Sequence, residues 1–307
     1  MEIINGKEIA RKIIEKLKNK PKPEKILAVI KVGENSASAS FIKQKEKVAK
    51  ELGVDFRIYE FDDPPAGGIS QDDLRKEVVK IANLKNVGGV IVQLPLPDHI
   101  NPVRSRPAEG TATTVSGRSA SNGVNNQYVL NAIPREKDLD VLGERALGAF
   151  YAGRNIVFPP TVGAAEEILK AISYQLKAAR VAVVGLGQLV GKPISMWLMK
   201  KCKELYLLDK ESDLIILKQA DLVICGIGKA GIIKPEMLKD SASVIDFGYE
   251  RSEGQNGKIA GDFDPPQLAD SPTNQLTGFY TPTPGGTGPV LVAKIFENFY
   301  TLNNESR

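Results

Sequence analysis

The 307-residue sequence predicts an α/β protein with two domains. Short apolar runs of strand length alternate with amphipathic stretches of helix length, which is the pattern of parallel sheets covered by helices. A glycine-rich turn directly follows one buried run and precedes a helix-like stretch. The chain is long enough for each domain to bury its own core. We therefore expect an N-terminal α/β domain and a second, Rossmann-like domain, with a cleft between them.

In the first half of the chain, compact β-branched runs predict three strands, and helix-spaced apolar residues such as Val48 and Leu52 predict two helices between them. In order, these elements are strand 26–32, helix 40–52, strand 54–61, helix 71–84 and strand 89–94.

The second half of the chain predicts a second parallel sheet. Four compact runs rich in Val, Ile and Leu are typical of strands that are buried on both faces. Helix-like stretches precede and follow these runs. The predicted strands are 180–184, 205–208, 221–225 and 243–246, and the predicted helices are 163–172, 193–201 and 289–300.

Composition and charge exclude several classes of function. The 41 Lys and Arg against 37 Asp and Glu give a net charge of +4, too mild an excess to indicate a nucleic-acid-binding protein. Cys202, Cys225 and the single His99 are too few for a Cys/His zinc site or a disulfide framework, which favours a reducing cytoplasm. The sequence shows no secretory-signal pattern and no bilayer-length apolar run. We therefore expect a cytoplasmic protein that uses no metal and binds neither nucleic acid nor membrane.

Residues 101–126 interrupt the alternation of strands and helices. They are rich in Ser, Thr, Gly, Ala and Asn, so they bury too little apolar surface to offset the entropy of ordering. The segment is predicted to be a flexible insert. Its three Arg and one Glu give it a charge of +2, half of the net charge of the chain.

The glycine-rich turn at 185–191 is a candidate dinucleotide-binding loop. Glycines between a strand and a helix let backbone N–H groups approach a pyrophosphate, although the same turn can serve only to pack the helix on the strand. Asp209 closes the next strand at the spacing of an acid that binds the adenosine ribose, which favours NAD over NADP. Lys210 beside it is a cation able to accept a phosphate instead. The candidate cofactor-binding residues are Gly185, Leu186, Gly187, Gly191, Asp209 and Lys210.

Several further motifs occur together along the chain. They are GENSASASFIKQK at 33–45, GVIVQLPLP at 89–97, EKDLD at 136–140, VIDFG at 244–248, GDFD at 261–264 and TPTPGGTGP at 281–289. In type and order they resemble the bifunctional methylenetetrahydrofolate dehydrogenase/cyclohydrolase (FolD) family, with its substrate-site helix and its VQLPLP, KDVD and PGGVGP motifs. The resemblance covers nearly the whole chain apart from the insert.

This resemblance implies two activities in one-carbon metabolism, which serves purine biosynthesis. One is oxidation of 5,10-methylenetetrahydrofolate with NAD(P), and the other is hydrolysis of the resulting 5,10-methenyl cation to 10-formyltetrahydrofolate. It implies a folate-binding catalytic domain at 1–145 and a Rossmann-like NAD(P)-binding domain at 146–288, bridged by helix 163–172. The C-terminal segment 289–307 is expected to pack back on the first domain. The family is typically dimeric, so a homodimer is expected.

The resemblance also implies that Lys45, Gln93 and Asp140 form the folate site. A lysine with a lowered pKa can take a proton from the attacking water and later return it. Gln93 would orient the lysine or the water, and Asp140 would accept hydrogen bonds from the pterin N–H groups. Without the family pattern, the three would be interpreted as a surface charge, a strand-end cap and a turn former. Further implied residues are Phe41, Ser38, Pro284, Gly285 and Gly286 for substrate and Tyr249 for cofactor.

Four departures from the family pattern bear on function. Phe41 stands where the family has tyrosine, which leaves a dehydrogenase without hydrolase activity as an alternative. Leu186 replaces the arginine that meets the 2′-phosphate of NADP, which favours NAD. It also leaves open a hydrolase without dehydrogenase activity, or a non-catalytic folate- or dinucleotide-binding protein. The other two are 141–145, in place of the family's Gly-Phe-His-Pro region, and 159–162, in place of its Pro-Cys-Thr-Pro.

The insert has two interpretations in the light of the resemblance. It is either a surface excursion without a role, or a basic arm whose Arg104, Arg106 and Arg118 attract the polyglutamate tail of cellular folates.

Overall fold

The computed structural model describes residues 1–34, 36–62, 68–97, 100, 126–251, 259–265 and 277–304, with the side chains of 36–38 outside this description. The chain forms two compact units, each built from two separate segments. The six-stranded unit comprises residues 1–21 and 158–298, and the three-stranded unit comprises residues 22–157 and 299–307.

The three-stranded unit is a parallel sheet with helices between its strands. Its elements are β2 (Ile26–Val32), α2 (Ser36–Leu52), β3 (Phe56–Phe61), α3 (Gln71–Asn83), β4 (Val87–Val92), α4 (Gln127–Leu130) and α5 (Glu144–Tyr151). The strand order is β3-β2-β4. All of β4 and nearly all of β2 are buried, as expected of strands covered on both faces. Ile30 pairs with Val92, so the residue after β4 begins at the carboxyl edge of the sheet.

The six-stranded unit is a second, fully parallel sheet. Its elements are β1 (Glu2–Ile3), α1 (Gly6–Lys18), α6 (Pro160–Ala171), β5 (Arg180–Val184), α7 (Gly191–Leu198), β6 (Glu204–Leu208), β7 (Leu222–Cys225), β8 (Ser243–Asp246) and β11 (Phe279–Tyr280). The strand order is β1-β11-β8-β7-β5-β6. The chain runs from β5 outward to β6 and then returns to β7 on the other side of β5. This reversal creates a topological switch point at the carboxyl ends of β5 and β7, where open α/β sheets bind ligands.

The six-stranded unit also contains a short antiparallel pair of strands, and one long helix follows near the end of the described residues. The pair is β9 (Glu250–Arg251) with β10 (Ile259–Ala260), and the helix is α8 (Thr287–Asn304). The first residues of α8 belong to the six-stranded unit and those from Phe299 to the three-stranded unit. There, the Asn303 side-chain amide donates to the Gly88 carbonyl at 3.2 Å.

The predicted α/β fold class and its two parallel sheets are confirmed. Three predicted strands coincide with β2, β5 and β8, and the other four differ from β3, β4, β6 and β7 by no more than two residues at either end. The helices differ more. Helix α2 begins at Ser36 instead of residue 40, because the Ser/Ala run before Phe41 offers no large apolar residue from which to detect a helical period.

The compact units divide the chain differently from the predicted boundary at 145/146. Residues 1–21 belong to the six-stranded unit, because Glu2 in β1 pairs in parallel with Phe279 in β11 and extends that sheet. Residues 146–157 belong to the three-stranded unit, because they continue α5 and the turn after it. Helix α6, predicted to bridge the domains, falls within the six-stranded unit.

Two sequence features fall outside the described residues. They are residues 101–125 of the insert and His99, and the predictions about both stay predictions. Within the described part of the chain, every helix is too short or too polar to cross a membrane.

Candidate active site

Lys45 is buried on the inner face of α2. Residues Ile42, Ala49 and Leu52 of this helix are buried, and Lys45 shares their helical spacing, whereas Lys47 is exposed. Only 5% of Lys45 is exposed. This burial lowers the pKa of the Lys45 ammonium, and the negative charge of Asp140 opposes the effect. A buried lysine of lowered pKa is suited to act as a base.

Gln93 lies directly beyond β4 and holds the Lys45 amine. Its backbone N–H donates to the Ile30 carbonyl at 2.8 Å, which fixes it to the carboxyl end of β2. The Lys45 Nζ donates to Gln93 Oε1 at 2.9 Å. The Gln93 Nε2 donates to the Leu94 carbonyl at 2.9 Å. Because the Nε2 is engaged in this way, the amide oxygen is turned toward Lys45.

Asp140 lies near enough to Lys45 for the two charges to interact. It is half-buried, and burial raises the pKa of its carboxyl while the Lys45 charge lowers it. The structure therefore places Lys45, Gln93 and Asp140 in the three-stranded unit, with Lys45 hydrogen-bonded to Gln93 and interacting with the charge of Asp140.

Asp138, two residues before Asp140, is a buried carboxylate that sequence reasoning missed. It accepts backbone hydrogen bonds from Leu142 N at 3.1 Å and Gly143 N at 2.8 Å. Burial raises the pKa of Asp138 to about 6, against the opposing effect of these N–H donors. The sequence signal for Asp138 is its place in the EKDLD motif, two positions before Asp140.

Two further predicted substrate residues lie on α2. Phe41 is half-buried and sits one helical turn before Lys45, so the two side chains lie on the same side of the helix. Ser38 lies in the first turns of the helix, but its side chain is outside the described residues.

The predicted cofactor loop joins β5 to α7 at the switch point of the six-stranded unit. Gly185 has a φ of +86°, a conformation that favours glycine. A Cβ on Gly191 would lie 1.9 Å from the Gly185 carbonyl oxygen, so the start of α7 is in backbone contact with the loop. A Cβ on Gly226, directly after β7, would lie 2.5 Å from Val190 Cγ1. The two loops at the switch point thus pack closely against each other at glycine positions. Their backbone N–H groups, without side chains in the way, are suited to bind a dinucleotide pyrophosphate.

Asp209 lies beside this loop at the same edge of the sheet. Val184 pairs with Leu208, and the Gly185 N–H donates to the Leu208 carbonyl at 2.8 Å. The residues following these strands, Gly185 and Asp209, are therefore neighbours. Asp209 and Lys210 are both exposed, and the backbone N–H of Asp209 donates to Ser212 Oγ at 2.9 Å.

The remaining predicted residues also belong to the six-stranded unit. Tyr249 is half-buried, just beyond β8. Pro284, Gly285 and Gly286 form the turn before α8, where Gly285 has a φ of +107°. A Cβ on Gly6 would lie 1.7 Å from the Gly286 carbonyl oxygen, so this turn is in backbone contact with the start of α1.

Cys225, Asp246 and Asp262 form a buried group with their ligand atoms within 4.8 Å of one another. The carboxylate oxygens of Asp246 accept from the N–H groups of Gly248 at 2.7 Å and Phe263 at 3.0 Å. Those of Asp262 accept from three consecutive N–H groups. These donors are Ile227 at 2.5 Å and Gly228 and Lys229 at 2.9 Å each. Backbone N–H groups donate to all four of these carboxylate oxygens, so the group anchors the loops beyond β7 and β8.

Comparison with known proteins places this geometry in a family. The profile described as tetrahydrofolate dehydrogenase/cyclohydrolase, catalytic domain, matches residues 4–106, and that of the NAD(P)-binding domain matches residues 159–307. A protein named bifunctional protein FolD from Bacillus licheniformis is 31% identical over 305 residues, covering 96% of this chain and 95% of the relative. Another of that name from Geobacillus kaustophilus is 32% identical over 305 residues, covering 97% and 95%. The chain belongs to the FolD family.

Solved structures agree with this assignment. The bifunctional FolD enzyme from Campylobacter jejuni matches with a TM-score of 0.82 at 27% identity over 100% of both chains. The Trypanosoma brucei FolD complexed with NADP and an inhibitor matches with a TM-score of 0.79 at 24% identity over 99% and 97% of the two chains, which shows the shared fold. The FolD catalytic-domain profile spans Lys45 and Gln93, whereas Asp140 lies between the two matched ranges.

Proposed function

We propose that this FolD-family chain carries both activities of its family, with the residues assigned above. It oxidises 5,10-methylenetetrahydrofolate with NAD(P) and hydrolyses the 5,10-methenyl product to 10-formyltetrahydrofolate. The single observation that supports this most is the buried Lys45 amine held by Gln93 at 2.9 Å. A lysine that only binds an anionic ligand has no need of burial against a neutral amide.

For hydrolysis, Lys45 acts first as a base and then as an acid. The methenyl compound is an amidinium cation whose carbon is already electrophilic. As the water oxygen bonds to that carbon, neutral Lys45 accepts a water proton. When the bond from this carbon to one folate nitrogen breaks, the Lys45 ammonium returns the proton to that nitrogen, the hydroxyl proton of the adduct is released to solvent, and the formyl group remains on the other nitrogen. Burial favours the neutral amine, and the positive charge of the bound substrate adds to that effect.

Asp140 and Gln93 act by position. Asp140 accepts hydrogen bonds from the pterin amino and ring N–H groups, which fixes the substrate beside Lys45. Gln93 keeps the amine turned toward the reacting carbon through its contact with Nζ.

For dehydrogenation, NAD(P) when bound supplies the hydride acceptor. The backbone of 185–191 would hold the pyrophosphate, and Asp209 would hold the adenosine ribose. Oxidation leaves the methenyl cation without requiring a proton transfer, so Lys45 is needed for hydrolysis but not for the hydride step.

NAD is the proposed preference of the dehydrogenase. Leu186 offers no positive charge to a 2′-phosphate, and Asp209, next to Gly185 at the edge of the sheet, repels one while accepting from ribose hydroxyls. Comparison of kcat/KM for the two nucleotides tests this preference, and more efficient use of NADP would reject it.

Loss of one activity is not favoured, because the Lys45–Gln93 contact forms with phenylalanine at position 41. The test assays the purified chain for NAD(P)-dependent oxidation of methylenetetrahydrofolate and, separately, for loss of methenyltetrahydrofolate. Lys45→Met should abolish the second activity while folate still binds. Lys43→Met, an exposed position on the same helix, is the matched control and should change neither activity. Unchanged hydrolysis in Lys45→Met would overturn the role of Lys45.

The assembly and compartment are also proposals. The family resemblance supports a homodimer, and the free thiols of Cys202 and Cys225 suit a reducing cytoplasm. Light scattering of the purified protein measures the first, and fractionation of the source cells measures the second.

A further inference from the structure

Val141, directly after Asp140, adopts a backbone conformation that its side chain opposes. Its φ is +56°, in the left-handed region that β-branched residues avoid because the Cβ crowds the backbone. The family resemblance places Val141 where the FolD pattern has glycine, which enters this region without strain. Strain of this kind persists only where the surrounding structure enforces it.

The Asp138 carboxylate supplies that enforcement. It accepts the N–H groups of Leu142 and Gly143, the two residues directly after Val141, and so closes a turn that contains Asp140 and Val141. Burial of the Val141 side chain, which is 0% exposed, adds an apolar contribution in the same direction.

The start of the turn is tied to the strand that carries Gln93. Asp138 forms a parallel bridge with Val90 in β4. Leu139 packs so closely over Gly89 that a Cβ there would lie 2.7 Å from Leu139 Cδ1. Asp140 is thus held between the bridge from Asp138 to β4 on one side and the hydrogen bonds of Leu142 and Gly143 to Asp138 on the other.

We propose that Asp138 is a positioning residue for the folate site, which holds Val141 in the left-handed conformation and thereby keeps Asp140 beside Lys45. This proposal rests on the function proposed above, since it assumes that Asp140 binds the pterin. Asp138 makes no contact with substrate in this scheme and acts through Asp140.

The two residues oppose each other, so a double-mutant cycle tests the proposal. Asp138→Asn keeps the shape of the side chain but removes its negative charge and one of its two accepting oxygens, so the turn should relax and Asp140 should shift. The KM for methylenetetrahydrofolate should rise about tenfold, while the KM for the nucleotide stays unchanged. If Asp138 had only a structural role, its substitution would lower the amount of folded enzyme and kcat. It would not raise the KM for folate selectively.

Val141→Gly removes the backbone strain at position 141, so the hydrogen bonds to Asp138 are no longer needed to hold this residue in the left-handed conformation. Alone it should lower the Tm through the lost apolar burial but leave the folate KM within about twofold. In the Val141→Gly background, Asp138→Asn should raise the folate KM by no more than about threefold and should lower the Tm by less than it does beside Val141. An equal effect of Asp138→Asn in both backgrounds, or a folate KM that does not rise, would overturn the proposal.

Gly143→Ala provides the same test if Asp138→Asn fails to fold. Gly143 has a φ of −68°, which alanine adopts freely, but its Cβ would lie 3.1 Å from Asp138 Oδ2 and push the carboxylate. The folate KM should rise and be restored by Val141→Gly, and a rise that Val141→Gly does not restore would contradict the proposal. Failure of the proposed function is distinguishable from failure of this proposal. If the wild-type chain does not oxidise methylenetetrahydrofolate, the proposed function is rejected before any variant is made. The Tm values of the four proteins in the double-mutant cycle can be compared even if the enzyme shows no activity.

Discussion

Lys45 and Gln93 lie 48 positions apart in the sequence, yet Lys45 Nζ and Gln93 Oε1 are 2.9 Å apart. The contact follows from the pairing of β2 with β4, because α2 continues from β2 and Gln93 continues from β4. A neutral amide oxygen beside a buried amine stabilises its orientation without adding a charge that would hold its proton. This choice of partner allows the pKa of Lys45 to stay lowered.

Gln93→Glu should move hydrolysis to higher pH. A carboxylate at Oε1 would raise the pKa of Lys45, so the neutral base would predominate only at higher pH than in the wild type. Initial rates of methenyltetrahydrofolate loss between about pH 6 and pH 9, corrected for the uncatalysed reaction, measure the shift. Gln93→Ala, which removes the acceptor without adding charge, should not displace the profile upward. A Gln93→Glu profile that coincides with the wild type would count against Lys45 as the base.

Phe41→Tyr should increase hydrolysis relative to dehydrogenation. The new hydroxyl would lie one turn before Lys45 and provide a hydrogen bond to the amine or the attacking water, an effect of about three- to tenfold in kcat. The ratio of the two rates in one preparation measures it. Phe41→Leu, which removes the ring and adds no hydroxyl, should not raise the ratio. An unchanged ratio in Phe41→Tyr would show that the hydroxyl has no part in hydrolysis here.

The double substitution Leu186→Arg with Asp209→Ser should shift the nucleotide preference toward NADP. It adds a cation for the 2′-phosphate and removes the neighbouring repulsive carboxylate, so the NADP-to-NAD ratio of kcat/KM should rise by about 10- to 100-fold. Lys210→Ala in the wild-type background should reduce whatever NADP use is present. If the NADP-to-NAD ratio of kcat/KM does not change after the double substitution, the 2′-position of the nucleotide does not lie beside Leu186 and Asp209.

Asp246 should make the free energy of unfolding fall as pH rises from about 4 to about 6. Burial raises the pKa of Asp246 to about 6, whereas an unfolded aspartate titrates near 3.9. The folded state therefore holds its proton more tightly, and this contribution to stability is full below the unfolded pKa and lost through the folded one. The loss is on the order of 3 kcal/mol.

Urea unfolding at several pH values measures this slope. Asp246→Asn should flatten it relative to the wild type, even though the substitution lowers stability at every pH by disturbing the Gly248 and Phe263 hydrogen bonds. Asp240→Asn, at an exposed position of the same unit, is the control and should leave the slope intact. Identical slopes in Asp246→Asn and the wild type would assign the titration to other groups.

The longer strands were predictable because each is a compact apolar run whose burial on both faces is visible in composition. The two-residue strands β1 and β11 are too short to show a period, and their pairing joins opposite ends of the chain. The placement of residues 1–21 with the six-stranded unit depends on that pairing, so it was not predictable from local pattern.

The candidate site was predictable only in part. Lys45 shares its helical spacing with Ile42 and Ala49, a signal that separates it from the exposed Lys43. The left-handed backbone at Val141 has no such signal, because valine does not favour this conformation and the hydrogen bonds of Leu142 and Gly143 to Asp138 cannot be seen in the sequence. For the same reason, the N–H donors to Asp262 could not be read from the GDFD motif alone.

The discontinuity of both units has a consequence for synthesis on the ribosome. Strand β1 is made long before its partner β11, because Glu2 pairs with Phe279. The three-stranded unit likewise includes the residues from Phe299 onward, so neither unit is complete until α8 has left the exit tunnel. Neither unit is therefore expected to reach its final fold before α8 has been synthesised. Deletion of the last helical turns of α8 should impair the three-stranded unit even though Lys45, Gln93 and Asp140 all lie far upstream in the sequence.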